Sequence, residues 1–173
     1  ASNPASINAS GVAATVATAN ATTGSYTVSA TANGASAGVD FALRNAAATA
    51  SIDSVTVTEG NSGTVDAVFT VTRSNRDTAF SVNYATAGGT ATSGVDFTAT
   101  SGTLSFAAGP SEPLSQTVTV SVIGDRIDEA NEQYTLALSG LTQTLGTTTL
   151  STATGIGTIT DDDTAGVTVT QSG

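Results

Sequence analysis

Between Gly124 and Leu138 the chain reads Gly-Asp-Arg-Ile-Asp-Glu-Ala-Asn-Glu-Gln-Tyr-Thr-Leu-Ala-Leu, which places Asp125, Asp128, Glu129 and Glu132 within eight positions. A second acidic knot, Asp161, Asp162 and Asp163, follows the strand-like stretch Gly155 to Thr160. Carboxylates packed this closely repel one another, and each is costly to keep charged unless water or a cation screens it. A hard cation that takes roughly six to eight oxygen ligands turns that cost into a binding site, and calcium is the ion such a donor set suits. The same residues also read as a solvated acidic loop. They are no EF-hand, because that motif needs a fixed Asp/Asn series, a glycine and flanking helices, whereas the flanks here alternate as strands do.

Composition narrows the remaining chemistry. The 173 residues include no Cys, His, Met or Trp, and the only cations are Arg44, Arg73, Arg76 and Arg126. Without thiolate or imidazole there is no zinc site of the usual kind, no Ser-His-Asp triad and no Cys-His pair. Without Lys there is neither a Schiff base nor a Lys-Asn crosslink. The net charge of −10 argues against nucleic acid and against anionic membrane surfaces, both of which need clustered basic residues. A glycosidase needs two carboxylates flanking a cleft and usually aromatic residues to stack the sugar. With aromatic residues at 5% and the best carboxylates grouped for a cation, the chain is expected not to be an enzyme. No apolar run reaches a membrane-spanning length, and Ala1 to Ser10 lacks the features of a signal peptide.

The elements that must position these carboxylates are strands. Thr and Val are abundant, Pro is rare, and apolar residues recur at alternate positions. Seven strands are expected near Ile52 to Thr58, Thr64 to Arg73, Phe80 to Thr86, Thr103 to Phe106, Gln116 to Val122, Gln133 to Ser139 and Thr152 to Thr160. Turn signals between them predict a β-sandwich. Val118, Val120 and Val122 form one inner row, and Tyr134, Leu136 and Leu138 another. Ala46 to Ala50 reads as a small-residue joint. Before it, Val12 to Ala19, Tyr26 to Ala30 and Val39 to Leu43 read as three further strands, with Tyr26 placed like the tyrosine corner of an immunoglobulin-like sandwich. The phrase Thr23-Gly-Ser-Tyr-Thr-Val-Ser-Ala-Thr-Ala-Asn-Gly resembles the closing part of a bacterial immunoglobulin-like repeat. At the far end Val167-Thr-Val-Thr echoes Val55-Thr-Val-Thr, as the start of a following repeat does.

Several motifs then occur in order. Val57-Thr-Glu-Gly, Tyr84-Ala-Thr-Ala-Gly-Gly-Thr-Ala-Thr-Ser-Gly-Val-Asp-Phe, Gly102-Thr-Leu-Ser-Phe, Val122-Ile-Gly-Asp, Glu129-x-x-Glu and Gly157-Thr-Ile-Thr-Asp-Asp-Asp together resemble a Calx-beta domain. The resemblance implies an all-β, seven-stranded immunoglobulin-like sandwich over 51–163, between a partial immunoglobulin-like repeat at 1–46 and the start of another repeat at 164–173. It implies a calcium site at one end of the sandwich. Its ligands would be Glu59, Asp96, Asp125, Glu129, Glu132, Asp161, Asp162 and Asp163. Two departures from the family pattern reduce the negative charge there: Gly124 stands where strong calcium binders carry a further Asp, and Arg126 adds a cation. Fewer ions or weaker binding is the consequence, with dissociation constants of roughly 10⁻⁴ to 10⁻³ M, as in extracellular modules.

The expected role is a calcium-stiffened structural or adhesive module in a large secreted or cell-surface bacterial repeat protein. Its partners would be neighbouring repeats of the same chain and a host or matrix glycan or protein. The alternatives are a glycan- or protein-binding sandwich, or a plain spacer without calcium.

Overall fold

Branched apolar residues alternate with hydroxyl residues through most of the central chain, so each strand presents one apolar and one polar face. The computed structural model describes residues 9–10, 22–31, 37–45, 47–143 and 146–166. These contain no helix and eleven strands: β1 (Gly24–Ala30), β2 (Val39–Asn45), β3 (Ala47–Ile52), β4 (Val55–Thr58), β5 (Gly63–Arg73), β6 (Phe80–Gly88), β7 (Ser101–Phe106), β8 (Ser115–Gly124), β9 (Glu132–Gln143), β10 (Thr147–Thr152) and β11 (Thr154–Thr160).

Strands β3 to β11 form two sheets, one of order β10-β3-β5-β8 and one of order β4-β11-β9-β6-β7. Their inner faces share one core. Phe69 and Val71 of β5 and the Val118, Val120 and Val122 row of β8 come from the first sheet. Phe80 and Val82 of β6 and the Tyr134, Leu136 and Leu138 row of β9 come from the second. Phe69 meets the Tyr134 ring edge-on at 6.1 Å, and Phe97 stacks on the same ring at 4.5 Å. Burying each large side chain of this kind contributes about 1.5–3 kcal/mol. The expected all-β sandwich and both expected inner rows are therefore present.

Two of the seven expected strands are divided. Ile52 to Thr58 becomes β3 and β4, which lie in different sheets. The break is held by polar side chains: the Thr70 amide donates to Asp53 Oδ1 at 2.7 Å, and the Ile156 amide donates to Ser54 Oγ at 3.0 Å. Thr152 to Thr160 is likewise interrupted at Ala153, and most of β10 precedes the expected start. The small-residue stretch Ala46 to Ala50 is not a joint, because β3 opens at Ala47 and buries Ala48 and Ala50. Alanine carries too little apolar area to announce a core strand, yet it fits where backbones run close. β3 pairs with β10 and β4 with β11, both in parallel, so the first and last segments cross between the sheets together. The crossing is tight, since a Cβ at Gly155 would lie 2.1 Å from the Asp53 carbonyl oxygen.

β1 and β2 make a separate antiparallel two-stranded sheet. At its entrance the Tyr26 hydroxyl donates to the Thr22 carbonyl, the hydrogen bond that defines a tyrosine corner. The expected strand Val12 to Ala19 and the expected repeat start at Val167 lie outside the described residues. Among the described residues no helix is long and apolar enough to cross a membrane.

Candidate metal centre

Four connections converge at the end of the sandwich where β5 begins and β8 ends. Gly60 and Gly63 take positive φ angles of 75° and 76°, a left-handed turn that glycine adopts without strain. This turn reverses the chain after β4 and folds the Glu59–Gly60 backbone over Gly124. The exit of β11 is tied to the same turn, because the Glu59 amide donates to the Thr160 carbonyl at 3.2 Å and the Gly60 amide to Asp162 Oδ1 at 3.0 Å. A third piece, the turn from Thr92 to Phe97, is closed by the Asp96 amide on the Thr92 carbonyl at 2.9 Å and by the Thr92 amide on Asp96 Oδ2 at 2.6 Å. It is pinned to β8 by the Ile123 amide on the Asp96 carbonyl at 2.8 Å. The fourth is the acidic loop itself, where the Ile127 amide donates to Asp125 Oδ1 at 2.7 Å and Asn131 Oδ1 accepts the Asp161 amide at 3.1 Å.

Six of the eight expected site residues fall into two groups of three. Glu59, Asp161 and Asp163 form one, and Asp96, Glu129 and Glu132 the other, each with one oxygen per residue lying within 4.8 Å of the rest. The remaining two stand beside these groups. The Asp125 charge acts on Glu59, Glu129 and Asp163, while Asp162 is engaged by the Gly60 amide. Asp128 is exposed and joins neither group. Sequence reasoning missed Thr92 and Asn131, which hold Asp96 and the Asp161 backbone in place. Asn131 lies between Glu129 and Glu132, and that adjacency was its one visible signal.

The electrostatics are those of crowded anions. Glu59 is only 4% exposed. Burial pushes its carboxyl up to about 7, helped by the charges of Asp125, Asp161 and Glu129 and by a side-chain hydrogen bond with Asp161. Glu132 is also raised to about 7, by burial first and then by its hydrogen bond and charge interaction with Asp96 and by the charge of Glu129. Glu129 is raised by burial and by Asp96, Asp125 and Asp161. Asp163 is raised by burial and by its acidic neighbours, with Arg126 acting in the opposite direction. Asp163 Oδ2 is buried without a hydrogen-bond partner.

Gly124 has a structural reason to be glycine. A Cβ there would sit 2.1 Å from the Gly60 carbonyl oxygen and 2.5 Å from that of Glu59. The strap of backbone from Glu59 to Gly60 occupies the space a side chain would need, so no further carboxylate enters at this position without moving the strap.

A two-sheet β-sandwich whose connections gather carboxylates at one end is the class that fold and site define together. The chain belongs to the Calx-beta domain family, whose profile matches residues 44–163. The apo form of the Calx CBD1 domain is similar to it, with a TM-score of 0.57 and 28% identity over 67% of this chain and 98% of that one. The calcium binding domain CBD12 of CALX1.1 is 30% identical, with a TM-score of 0.54 over 68% of this chain and 47% of that one. The Calx CBD2 domain, at 10% identity and a TM-score of 0.52, shares the fold. No curated protein matches the chain.

Proposed function

We propose that the chain is a calcium-binding structural module, in which the ion neutralises the acidic end of the sandwich and fixes the direction in which the chain leaves it. The observation that carries this reading is the pair of three-carboxylate groups, with Glu59 buried and its facing groups acidic. An all-oxygen donor set of this kind suits calcium and offers nothing to thiophilic metals. One ion per group, held by Glu59, Asp161 and Asp163 and by Asp96, Glu129 and Glu132, would supply counter-charge. Asp125, whose charge acts on Glu59, Glu129 and Asp163, would add to the counter-charge the ions meet. The likeness to a solved calcium binding domain of CALX1.1 supports the same reading.

The module would belong to a secreted or cell-surface bacterial repeat protein. Its partners would be neighbouring repeats and, where the parent protein is an adhesin, a host or matrix glycan or protein. Asp161 to Asp163 are followed by Thr164, Ala165 and Gly166, so little chain separates the site from any unit that begins at Val167. Calcium drawing the exit against the acidic loop would therefore stiffen that joint.

The test is thermal unfolding in calcium and in chelator. A ligand that binds only the folded state adds about 2.7 kcal/mol at a hundredfold excess over its dissociation constant. A raised midpoint in millimolar calcium is expected, and Asp125→Asn with Glu132→Gln should remove the difference. An unchanged midpoint would leave a spacer with solubilising acidic loops. For the joint, small-angle scattering on a chain extended by one complete further repeat should give a narrower distribution of maximum dimensions in calcium than in chelator.

A further inference from the structure

Between β6 and β7 the chain crosses from one sheet to the other at the acidic end of the sandwich. It sets out from β9, where the Ala91 amide donates to the Gln133 carbonyl at 3.0 Å and the Gln133 amide donates to Thr90 Oγ1 at 2.8 Å. It arrives on β8, where the Ile123 amide donates to the Asp96 carbonyl and the Thr98 amide to the Ser121 carbonyl, both at 2.8 Å. β9 and β8 belong to different sheets. The crossing brings Asp96, distant in sequence from the acidic loop, into one group with Glu129 and Glu132. Carboxylates repel one another while charged, so the fold has to hold these together.

A pair of rings backs the crossing. Phe97, the residue after Asp96, is fully buried and stacks on Tyr134 with ring centres 4.5 Å apart and planes 18° from parallel. Tyr134 stands two residues after Glu132 and so shares its face of β9. The Tyr134 ring is itself fixed. Phe69 meets it edge-on at 6.1 Å, and β11 runs so close that a Cβ at Gly157 would lie 2.2 Å from the ring carbon Cζ. The ring is what this packing uses, because the hydroxyl is buried and has no hydrogen-bond partner among the described residues. The stack thus joins the residue beside Asp96 to a residue one step along the face from Glu132. The Glu59, Asp161 and Asp163 group is placed by other means, with the Glu59 amide on the Thr160 carbonyl and the Gly60 amide on Asp162 tying its two segments together.

We infer that Phe97 and Tyr134 are positioning residues for calcium at the Asp96, Glu129 and Glu132 group, their stack holding Asp96 against Glu132 before any ion arrives. The inference rests on the calcium reading of the site and assigns the stack to one of its two groups. Donors already in place leave less ordering to be done on binding, and altering the groups that support metal ligands typically changes affinity by about 10- to 100-fold.

The test is calorimetric titration of the full 173-residue chain with calcium chloride, in an Asp163→Asn background that leaves the Asp96, Glu129 and Glu132 group to be read alone. Phe97→Leu and Tyr134→Leu should each weaken binding by about tenfold or more, and Tyr134→Phe should restore what Tyr134→Leu loses. Phe106→Leu is the control. It breaks the stack of Phe106 on Phe80, with ring centres 4.8 Å apart at the Arg73 end, and should lower the melting midpoint without changing affinity. In a Glu129→Gln background, Phe97→Leu should leave the affinity of the other group as it was. In chelator, Phe97→Leu should speed amide exchange at Ile123 and Thr98, whose bonds hold the crossing on β8. Where leucine prevents folding, Phe97→Met, which keeps much of the volume and lacks the ring, should show the same loss. Affinity unchanged by Phe97→Leu, an equal loss in Phe106→Leu, Tyr134→Phe as weak as Tyr134→Leu, or unchanged exchange in chelator would each overturn the inference while calcium binding by the unaltered chain stands. An unaltered chain that takes up no calcium would overturn the reading of the site, and the inference with it.

Discussion

Charge is buried at both ends of the sandwich, and the two ends treat it differently. Where β5 finishes, Arg73 lies buried with its Nε on the Pro113 carbonyl at 3.0 Å and its Nη1 on the carbonyls of Thr78 and Ala107 at 3.2 and 2.7 Å. Its guanidinium lies 5.3 Å from the centre of the Phe106 ring. Burial lowers its affinity for the proton, with Arg76 adding to the effect and Glu112 and Asp77 opposing it. The chain itself answers most of this cation, with backbone oxygens fixed by the two loops that the guanidinium joins. Where β5 begins, the buried Glu59 faces other carboxylates, and its proton affinity rises, as do those of Glu129 and Asp163. A buried charge held by its own backbone at all but one nitrogen, Nη2, is a structural fastening. One surrounded by like charges is a place for something from solution.

The comparison can be broken at either end. The largest effect is expected from Arg73→Ala, which takes the donor from three backbone carbonyls, that of Thr78 buried, and removes the ring contact. It should cost about 3–4 kcal/mol in urea unfolding and leave any calcium-induced shift in midpoint intact. A lost calcium response would mean the two ends are coupled.

Next in size is the pH dependence without metal. Glu59 and Glu132 titrate near 7 in the fold against 4.5 ordinarily. The unfolded chain therefore gives up these protons first as pH rises. Stability should be greatest below pH 4.5 for this pair and fall as pH climbs through 7, by about 2–3 kcal/mol after solvent screening has cut the full linkage of the two shifts by more than half. Melting in chelator at pH 5 and pH 8 checks the sign, and calcium should flatten the difference.

Smaller again is Glu59→Gln in chelator, which removes one buried charge from the repelling set and should stabilise by about 1–2 kcal/mol. The same variant should respond less to calcium. The smallest effect belongs to Asp128→Asn. That side chain is exposed and outside both groups, so about 0.5 kcal/mol or less is expected with calcium or without it.

Much of the fold could be read from alternation, because Val118, Val120 and Val122 and Tyr134, Leu136 and Leu138 are large enough to mark their inward faces. The switches between sheets could not. Asp53-Ser54 and Ala153 keep a strand-like composition on both sides, and only the pairing partners reveal that β3 and β4 belong to different sheets. At the site, acidic spacing marked the two knots as candidate cation ligands, and only the family likeness brought them to one end of the sandwich. The family likeness then added Glu59 and Asp96, which are distant in sequence. The partition into two groups stayed hidden, because it depends on the Thr92 to Phe97 turn docking on β8 through Ile123, a contact no local pattern encodes. Gly124 read as a missing ligand, whereas the close Gly60 carbonyl makes it a steric requirement.

The parallel pairing of the first and last segments has a mechanical consequence. β3 starts at Ala47, near the Arg73 end, and β11 finishes at Thr160, at the acidic end, so a pull applied between these two points runs lengthwise along the strands. β3 is then dragged past β10, and β4 past β11, with their interstrand bonds loaded side by side in shear. They do not open one after another like a zip. The Glu59 amide on the Thr160 carbonyl and the Gly60 amide on Asp162 extend that loaded ladder to the point of exit. A module wired this way yields late under pulling, and the carboxylates at its exit lie where an added ion would resist the first slip.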